Sequence, residues 1–245
     1  HHLTPFFKHR FRASYSRTES VLAPAEFQHP LIRETLLLLG QQEGIEISHV
    51  ADLPGQTGLG SSSAFTVGLL HALHRFRGHR PAAEELARTA IAVERDRVGD
   101  PGGWQDQYET AYGGFRRIEF RPDGTVQVDE VGLDPLRRRE LNRNLLLFYM
   151  GTESSAEKIL QEQDQRTAGN EAALGTMRQM VDQAERLLVG GAPLAEFGDL
   201  LHESWRLKRA LSAGISNPAI DQAYEAARAA GARGGKVLGA GGRGF

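Results

Sequence analysis

The sequence Pro54-Gly-Gln-Thr-Gly-Leu-Gly-Ser-Ser-Ser-Ala-Phe65 lies between a strand-like stretch, Ile45–Ala51, and an apolar helical stretch, Thr66–Phe76. Glycines in such a turn let the backbone approach an anion, and the N–H groups and dipole of the first helical turn attract it. Serines here can cap the helix or offer hydroxyls to a phosphate or metal ion. The segment thus predicts a phosphate-binding loop, although alone it equally fits a plain helix cap. It is not a Walker loop, because no Gly-Lys-Ser/Thr follows.

Composition sets broad limits on the class of protein. The 245 residues suffice for one large domain or two small ones, and 40% of them are hydrophobic. The absence of cysteine excludes disulfides and thiolate metal sites. A formal net charge of −2 argues against general nucleic-acid binding, and no apolar run approaches the roughly 18 residues of a membrane span. We therefore expect a cytoplasmic protein without nucleic-acid or membrane partners.

Strand and helix patterns alternate in the first half of the chain, and helix patterns dominate the second. This texture predicts an α+β fold with two layers, divided near Asn142 into domains 1–142 and 143–245. Strands are predicted over Phe11–Tyr15, Ile45–Ala51, Tyr112–Arg121, Thr125–Val131 and Asn144–Met150, with Pro122-Asp-Gly124 as a hairpin turn. Helices are predicted over Pro30–Leu39, Thr66–Arg77, Pro81–Val98, Ser155–Gln165, Glu171–Val189, Pro193–Ser212 and Asn217–Ala230.

Three glycine-rich segments together resemble one enzyme family. The pattern P-x-x-x-G-L-G-S-S-S-A resembles the second motif of the GHMP kinases, which include galactokinase, homoserine kinase and mevalonate kinase. Gly102–Tyr108 resembles the segment that carries the catalytic aspartate in the sugar kinases of that family, and Gly235–Phe245 resembles the third, C-terminal motif. The family's first motif has no counterpart here, and the chain begins His-His rather than with Met. We therefore expect it to represent part of a longer protein.

The resemblance implies a GHMP kinase fold, with an N-terminal domain like ribosomal protein S5 domain 2 and a ferredoxin-like C-terminal domain. It implies ATP and Mg²⁺ as cofactors, Asp106 as base or hydroxyl-orienting group, and Glu94 and Ser62 as metal ligands. Arg243 stands where the family usually has glycine, which leaves open a catalytically silent sugar- and nucleotide-binding sensor. The ATP-binding residues implied are Pro54, Gly58, Leu59, Gly60, Ser61, Ser62, Ser63, Gly239, Gly241 and Gly242.

The surroundings of these motifs narrow the phosphoryl acceptor to a small sugar or sugar phosphate. The sequence around the three motifs looks most like that of the D-glycero-D-manno-heptose 7-phosphate kinases. These enzymes phosphorylate the anomeric hydroxyl to give the 1,7-bisphosphate. Gly-Gly-Trp-Gln-Asp-Gln is also close to the L-fucokinase pattern, so a hexose 1-kinase remains the alternative. We expect a monomer or homodimer. The candidate substrate residues are Arg12, Trp104, Gln105 and Lys208.

Overall fold

The computed structural model describes residues 1–53, 55, 57–151, 159 and 167–245. The described residues form two compact units. The first comprises His1–Gly55 and Gly60–Gly113, and the second comprises 57–59 and Gly114–Phe245. The predicted helix Ser155–Gln165 and the predicted ATP-binding residue Pro54 lie outside the described residues, apart from Ile159. The predicted division at 142/143 falls inside a helix of the second unit and stays a prediction.

A three-stranded sheet organises the first unit. Strand β1 (Phe11–Ser14) lies in the middle, antiparallel to β2 (Thr18–Val21) and parallel to β3 (Ile45–Ser48). Helix α1 (Pro30–Leu38) provides the crossover that the parallel pair requires. Alternation along β1 buries one face, which packs with side chains of the helices. This core contains Phe11, Ala13, Phe27, Ile32, Leu36, Ile45, Leu69 and Leu73.

Helices that follow the sheet complete the first unit. Helix α2 (Ser61–Phe76) packs on α3 (Ala83–Ile91), which continues as a π-helical turn, Ala92–Arg97. Helix α4 (Gln105–Tyr112) packs on both α2 and α3. The sequence predicts a glycine-rich loop over Val98–Gln107 and a strand from Tyr112, and both predictions are wrong where α4 forms. The reason is tertiary, since burial of Gln107 and Tyr108 stabilises this helix.

The second unit is mainly helical in its described part. The hairpin of β4 (Arg116–Phe120) and β5 (Val126–Glu130) confirms the predicted turn at Gly124, whose φ is +80°. Trp205 and Ile215 are the most completely buried side chains of a hydrophobic cluster in this unit. The helices are α5 (Pro135–Arg143), α6 (Glu171–Val189), α7 (Leu194–Ala210) and α8 (Pro218–Ala229).

Two sequence predictions about strands fail. Asn144–Met150 does not form a strand: Leu145–Tyr149 are exposed, and backbone bonding begins only where the Met150 N–H donates to the Gly244 carbonyl (2.7 Å). An apolar run becomes a strand only beside a hydrogen-bonding neighbour, and no strand of the described part pairs with this one. Conversely, β2 was not predicted, because its polar sequence is stabilised by pairing with β1.

Candidate active site

The buried carboxylate of Glu94 is the centre of a polar cluster in the first unit. Glu94 is only 3% exposed. Its Oε2 accepts hydrogen bonds from the Ser63 hydroxyl (2.9 Å) and from the Gln107 side-chain amide (2.6 Å). Its Oε1 is buried without a hydrogen-bond partner in the described structure. Burial raises the pKa of Glu94 and outweighs the neighbouring polar side chains of Thr66, Ser63 and Gln107, which act in the opposite direction.

The π-helical turn at the end of α3 positions this carboxylate. Within it the Val98 N–H donates to the Val93 carbonyl (3.0 Å), a five-residue spacing in place of the usual four. The Asp100 N–H then bonds to the Glu94 carbonyl (2.9 Å), which closes the turn. Widened turns of this kind are rare and are frequent at functional sites. The sequence predicts a regular helix here, so the π turn is a finding of the structure.

Asp106 lies in the first turn of α4, against the backbone of Gly60. A β-carbon at Gly60 would lie 3.2 Å from Asp106 Cγ, and Gly60 has φ +66°. Only glycine combines this left-handed conformation with such a close approach at low cost. Although Asp106 as a residue is exposed, its carboxyl is partly desolvated by this packing. Its pKa is raised, first by that desolvation and second by the negative charge of Asp100.

The serines that follow Gly60 do not cap the helix, which corrects one sequence prediction. Gly60 itself is the N-cap residue of α2, and no side chain in the described part of the chain caps this end of the helix. The serines lie inside the first turn, too late to act as caps. Ser61 and Ser62 are exposed, whereas Ser63 is buried and meets Glu94. The predicted role of Ser62 as a metal ligand stays a prediction.

Sequence reasoning missed Ser63 and Gln107 as partners of Glu94. A signal for Ser63 exists in the spacing of buried residues on α2, since Ser63, Thr66, Val67 and Leu70 share one helical face. The sequence around Gln107 contains no comparable spacing that would predict its contact with Glu94. Its role depends on the packing of α4 against the other helices, which no local pattern reveals.

In the second unit, the C-terminal glycine motif packs closely on residues 57–59. A β-carbon at Gly239 would lie 2.8 Å from the Gly58 Cα, and one at Gly244 would lie 2.0 Å from the Thr57 carbonyl oxygen. Gly241 and Gly242 adjoin Ile215, whose carbonyl accepts from the Gly242 N–H (2.8 Å). The glycines are therefore required by backbone contact within this unit.

The cations predicted to meet a sugar phosphate are engaged within their own units. The Lys208 ammonium donates to the carbonyls of Val237 (2.9 Å) and Gly239 (2.7 Å). In the first unit, Arg12 on β1 pairs with Glu46 on β3, its cross-strand neighbour, with Nε 2.7 Å from Oε1. Trp104 is half-buried just before α4, and the exposed Gln105 bonds to Glu109 (3.3 Å). The predicted substrate roles of these residues stay predictions.

Comparison with known proteins identifies the family. Residues 29–114 match the family described as GHMP kinases N terminal domain, and residues 192–245 match GHMP kinases C terminal. Together the two matches cover more than half of the chain, which belongs to the GHMP kinase family. The predicted GHMP kinase fold, a mixture of helices and sheets, is confirmed. Among the described residues, no helix is both long and apolar enough to cross a membrane.

Individual relatives include sugar kinases. The chain is 30% identical over 197 residues to D-glycero-alpha-D-manno-heptose 7-phosphate kinase of Campylobacter jejuni, covering 80% of this chain and 58% of that protein. It is 28% identical over 240 residues to the bifunctional fucokinase/GDP-fucose pyrophosphorylase of Arabidopsis thaliana, covering 92% and 23%. A crystal structure of a D-glycero-D-manno-heptose 1-phosphate kinase from Bacteriodes thetaiotaomicron superposes with TM-score 0.74 at 25% identity, covering 96% of this chain and 71% of that one.

Proposed function

We propose that the protein is an ATP-dependent sugar kinase that phosphorylates the anomeric hydroxyl of a sugar phosphate, with D-glycero-D-manno-heptose 7-phosphate giving the 1,7-bisphosphate. One observation carries the proposal: the buried Glu94 carboxylate lies beside the first turn of α2, with Ser63 and Gln107 on one oxygen and no partner on the other. A buried charge without full pairing is costly unless it serves another purpose.

The donor set fits Mg²⁺, a hard cation that takes few protein oxygens and keeps several waters. Glu94 Oε1 supplies a carboxylate oxygen that has no hydrogen-bond partner in the described structure. The exposed Ser62 hydroxyl is the second predicted metal ligand. Burial is the main cause of the raised pKa of Glu94, and no positively charged side chain of the described residues is among its causes. Bound Mg²⁺ would supply neutralisation of charge on the transferred phosphoryl group.

The nucleotide phosphates would meet the N-terminus of α2. Among the described residues no side chain caps its first-turn N–H groups, and the helix dipole favours negative charge there. Helix α2 runs 16 residues, from Ser61 to Phe76, so the dipole effect at this end is well developed. The other ATP-binding residues in our prediction are Gly58, Leu59, Gly239, Gly241 and Gly242.

Asp106 would orient and deprotonate the sugar hydroxyl. The oxygen–phosphorus bond to the sugar forms as the bond between the terminal phosphorus and ADP breaks, and the hydroxyl proton passes to the Asp106 carboxylate. A raised pKa makes this carboxylate a better proton acceptor than an ordinary aspartate. Its packing on Gly60 limits its movement, and positioning contributes strongly to phosphoryl transfer.

A heptose phosphate is favoured over a free hexose because of the similarity to the Campylobacter jejuni kinase. A hexose 1-kinase such as an L-fucokinase is the second candidate, supported by the similarity to the Arabidopsis thaliana protein. The chain spans 58% and 23% of the lengths of these two relatives. Activity, acceptor, a cytoplasmic location and a monomeric or homodimeric state are all parts of this proposal.

The test is a coupled ADP-release assay of the full-length gene product against free sugars and sugar phosphates, with Mg²⁺. We expect the heptose 7-phosphate to give the highest kcat/KM. Asp106→Asn should lower kcat by about 10²–10⁴-fold, the usual contribution of a general base, with binding of ATP and sugar retained. Asp129→Asn, which changes an exposed aspartate on β5, is the matched control and should leave kcat within about twofold.

Three contrary results would each overturn a different part of the proposal. Faster turnover of free L-fucose than of any heptose phosphate would overturn the acceptor and leave the kinase. Binding of sugar and ATP with no ADP release by the wild type would replace the kinase with a silent sensor. Equal losses of kcat in Asp106→Asn and Asp129→Asn would remove Asp106 from the reaction.

A further inference from the structure

The C-terminal end of α2 brings two histidines together. After the helix, Gly78 has φ +78°, its N–H bonds to the Arg75 carbonyl (3.0 Å), and the His79 N–H bonds to the His74 carbonyl (2.9 Å). This is the Schellman arrangement, in which the side chains that flank the turn meet, usually as an apolar pair. Here both are imidazoles, with ring centroids 5.0 Å apart. The backbone of the turn thus holds His79 beside His74.

A carboxylate from the next helix completes the group. Glu85, in the first turn of α3, places its two carboxylate oxygens 3.1 and 3.4 Å from His79 Nε2. One ligand atom from each of His74, His79 and Glu85 lies within 4.8 Å of the others. His74 is half-buried, whereas His79 and Glu85 are exposed. The three side chains therefore converge at the surface, where an ion has access.

We propose that the His74–His79–Glu85 cluster is a binding site for a divalent transition-metal ion of the Zn²⁺ type. Two imidazole nitrogens and one carboxylate oxygen form a common Zn²⁺ donor set, and water completes a four-coordinate ion. Bonds of about 2.0–2.2 Å place neighbouring ligand atoms of a tetrahedral ion about 3.4 Å apart. The His79–Glu85 separation already matches this value, and because all three ligand atoms lie within 4.8 Å of one another, metal binding requires only side-chain rotation to draw them together.

The ion would join the last turn of α2 to the first turn of α3. A ligand that binds the folded state and not the unfolded chain raises thermal stability by mass action. The cluster is chemically distinct from Glu94, whose surroundings offer oxygen donors that suit Mg²⁺. Imidazole donors favour Zn²⁺, Cu²⁺ or Ni²⁺ over Mg²⁺. The inference therefore stands independently of the proposed kinase activity.

Isothermal titration with ZnCl₂ tests the site. All proteins should carry His1→Ser and His2→Ser, because the N-terminal His-His pair offers metal ligands of its own. We expect one Zn²⁺ per chain. His79→Ala and Glu85→Gln should each raise Kd at least about tenfold, since losing even an outer-shell partner costs about 10–100-fold. His71→Ala, an exposed histidine one turn earlier on α2, is the matched control and should change Kd by less than about twofold.

Two further measurements exclude nonspecific binding. Co²⁺ should give the visible absorption of a four-coordinate ion in the background protein and not in His79→Ala. Zn²⁺ should raise the Tm of the background protein. Mg²⁺ at the same concentration should not act through this cluster, so any change that Mg²⁺ causes in Tm should be the same in the background protein and in His79→Ala. Unchanged Zn²⁺ affinity in both His79→Ala and Glu85→Gln, or an equal loss in His71→Ala, would overturn the site. ADP release by His79→Ala without added Zn²⁺ should match the background protein, which separates this result from the kinase proposal.

Discussion

Glu94 in the first unit and the glycines Gly58 and Gly239 in the second were predicted as parts of one function, but the structure builds their surroundings in opposite ways. At Glu94 the essential features are side chains, with hydroxyl and amide groups converging on a buried carboxylate. At Gly58 and Gly239 the essential feature is the lack of side chains, because the two backbones approach too closely for a β-carbon. Substitutions should therefore separate activity from stability at the first and couple them at the second.

The largest effect is expected at Gly239. Gly239→Ala places a β-carbon 2.8 Å from the Gly58 Cα at a residue with φ +60°. The left-handed conformation costs about 1–2 kcal/mol and overpacking adds about 1–3 kcal/mol, so we expect a loss of about 3 kcal/mol in the free energy of unfolding, with activity lost too. Urea denaturation measures the change.

Gly191→Ala is the matched control for this substitution. Gly191 has a similar φ of +75°, and a β-carbon there meets nothing within 4 Å. It should cost only the conformational part, about 1–2 kcal/mol. Equal losses at the two glycines would show that the close approach at Gly239 has no energetic consequence.

Glu94→Gln should affect activity more than stability. We expect kcat to fall by about 10²-fold or more and the Mg²⁺ requirement to rise, because the change removes the charge from the metal ligand. A raised pKa means that the carboxyl stabilises the fold most below its ordinary pKa, and this contribution is lost as pH rises through the raised value. Without Mg²⁺, the free energy of unfolding of the wild type should therefore fall relative to that of Glu94→Gln as the pH rises through the raised pKa.

Two measurements check the Glu94 prediction. Denaturation at a series of pH values compares the unfolding free energies of the two proteins, and added Mg²⁺ should reverse the difference in the wild type alone. Activity of Glu94→Gln within about twofold of the wild type would remove Glu94 from the mechanism, since metal-site groups contribute far more.

Ser63 and Ser62 allow a comparison between a buried and an exposed hydroxyl, with smaller expected effects. Ser63→Ala removes a buried hydrogen bond to Glu94 and should cost about 1 kcal/mol of stability. Ser62→Ala changes an exposed hydroxyl and should cost less than about 0.5 kcal/mol, while raising the Mg²⁺ concentration needed for half-maximal activity. Thermal denaturation and Mg²⁺ titration of activity measure the two effects. An unchanged Mg²⁺ dependence in Ser62→Ala would refute the predicted metal-ligand role.

Lys208 should give the smallest effect, visible only in the pH dependence. Desolvation, aided by the positive charge of Lys236, lowers its pKa to about 8. Between about pH 8 and the ordinary lysine pKa, the folded state binds fewer protons than the unfolded state, so stability rises with pH. The wild type should gain stability relative to Lys208→Met over this interval, as measured by denaturation. A parallel pH profile in the two proteins would contradict the shift.

Local patterns were sufficient where one short segment carries the information. The glycine-rich turn and α2 follow from glycine spacing and an apolar period, and the helices over Pro30–Leu38, Glu171–Val189 and Pro218–Ala229 agree with their predictions to within a residue or two. The hairpin at Gly124 follows from its turn residues. In each case the deciding interactions are close in sequence, so they can be read without knowledge of the fold.

The sequence by itself determined the glycine-rich loop and the family, and the family resemblance pointed to Glu94 and Asp106 as the candidate carboxylates. The tertiary structure alone decided that Ser63, rather than Ser62, bonds to Glu94, that Asp106 lies in the first turn of a helix against Gly60, and that Asn144–Met150 forms no strand. The physical reason is distance along the chain. Ser63 and Glu94 are 31 residues apart, and a contact of that kind forms only when separate helices pack.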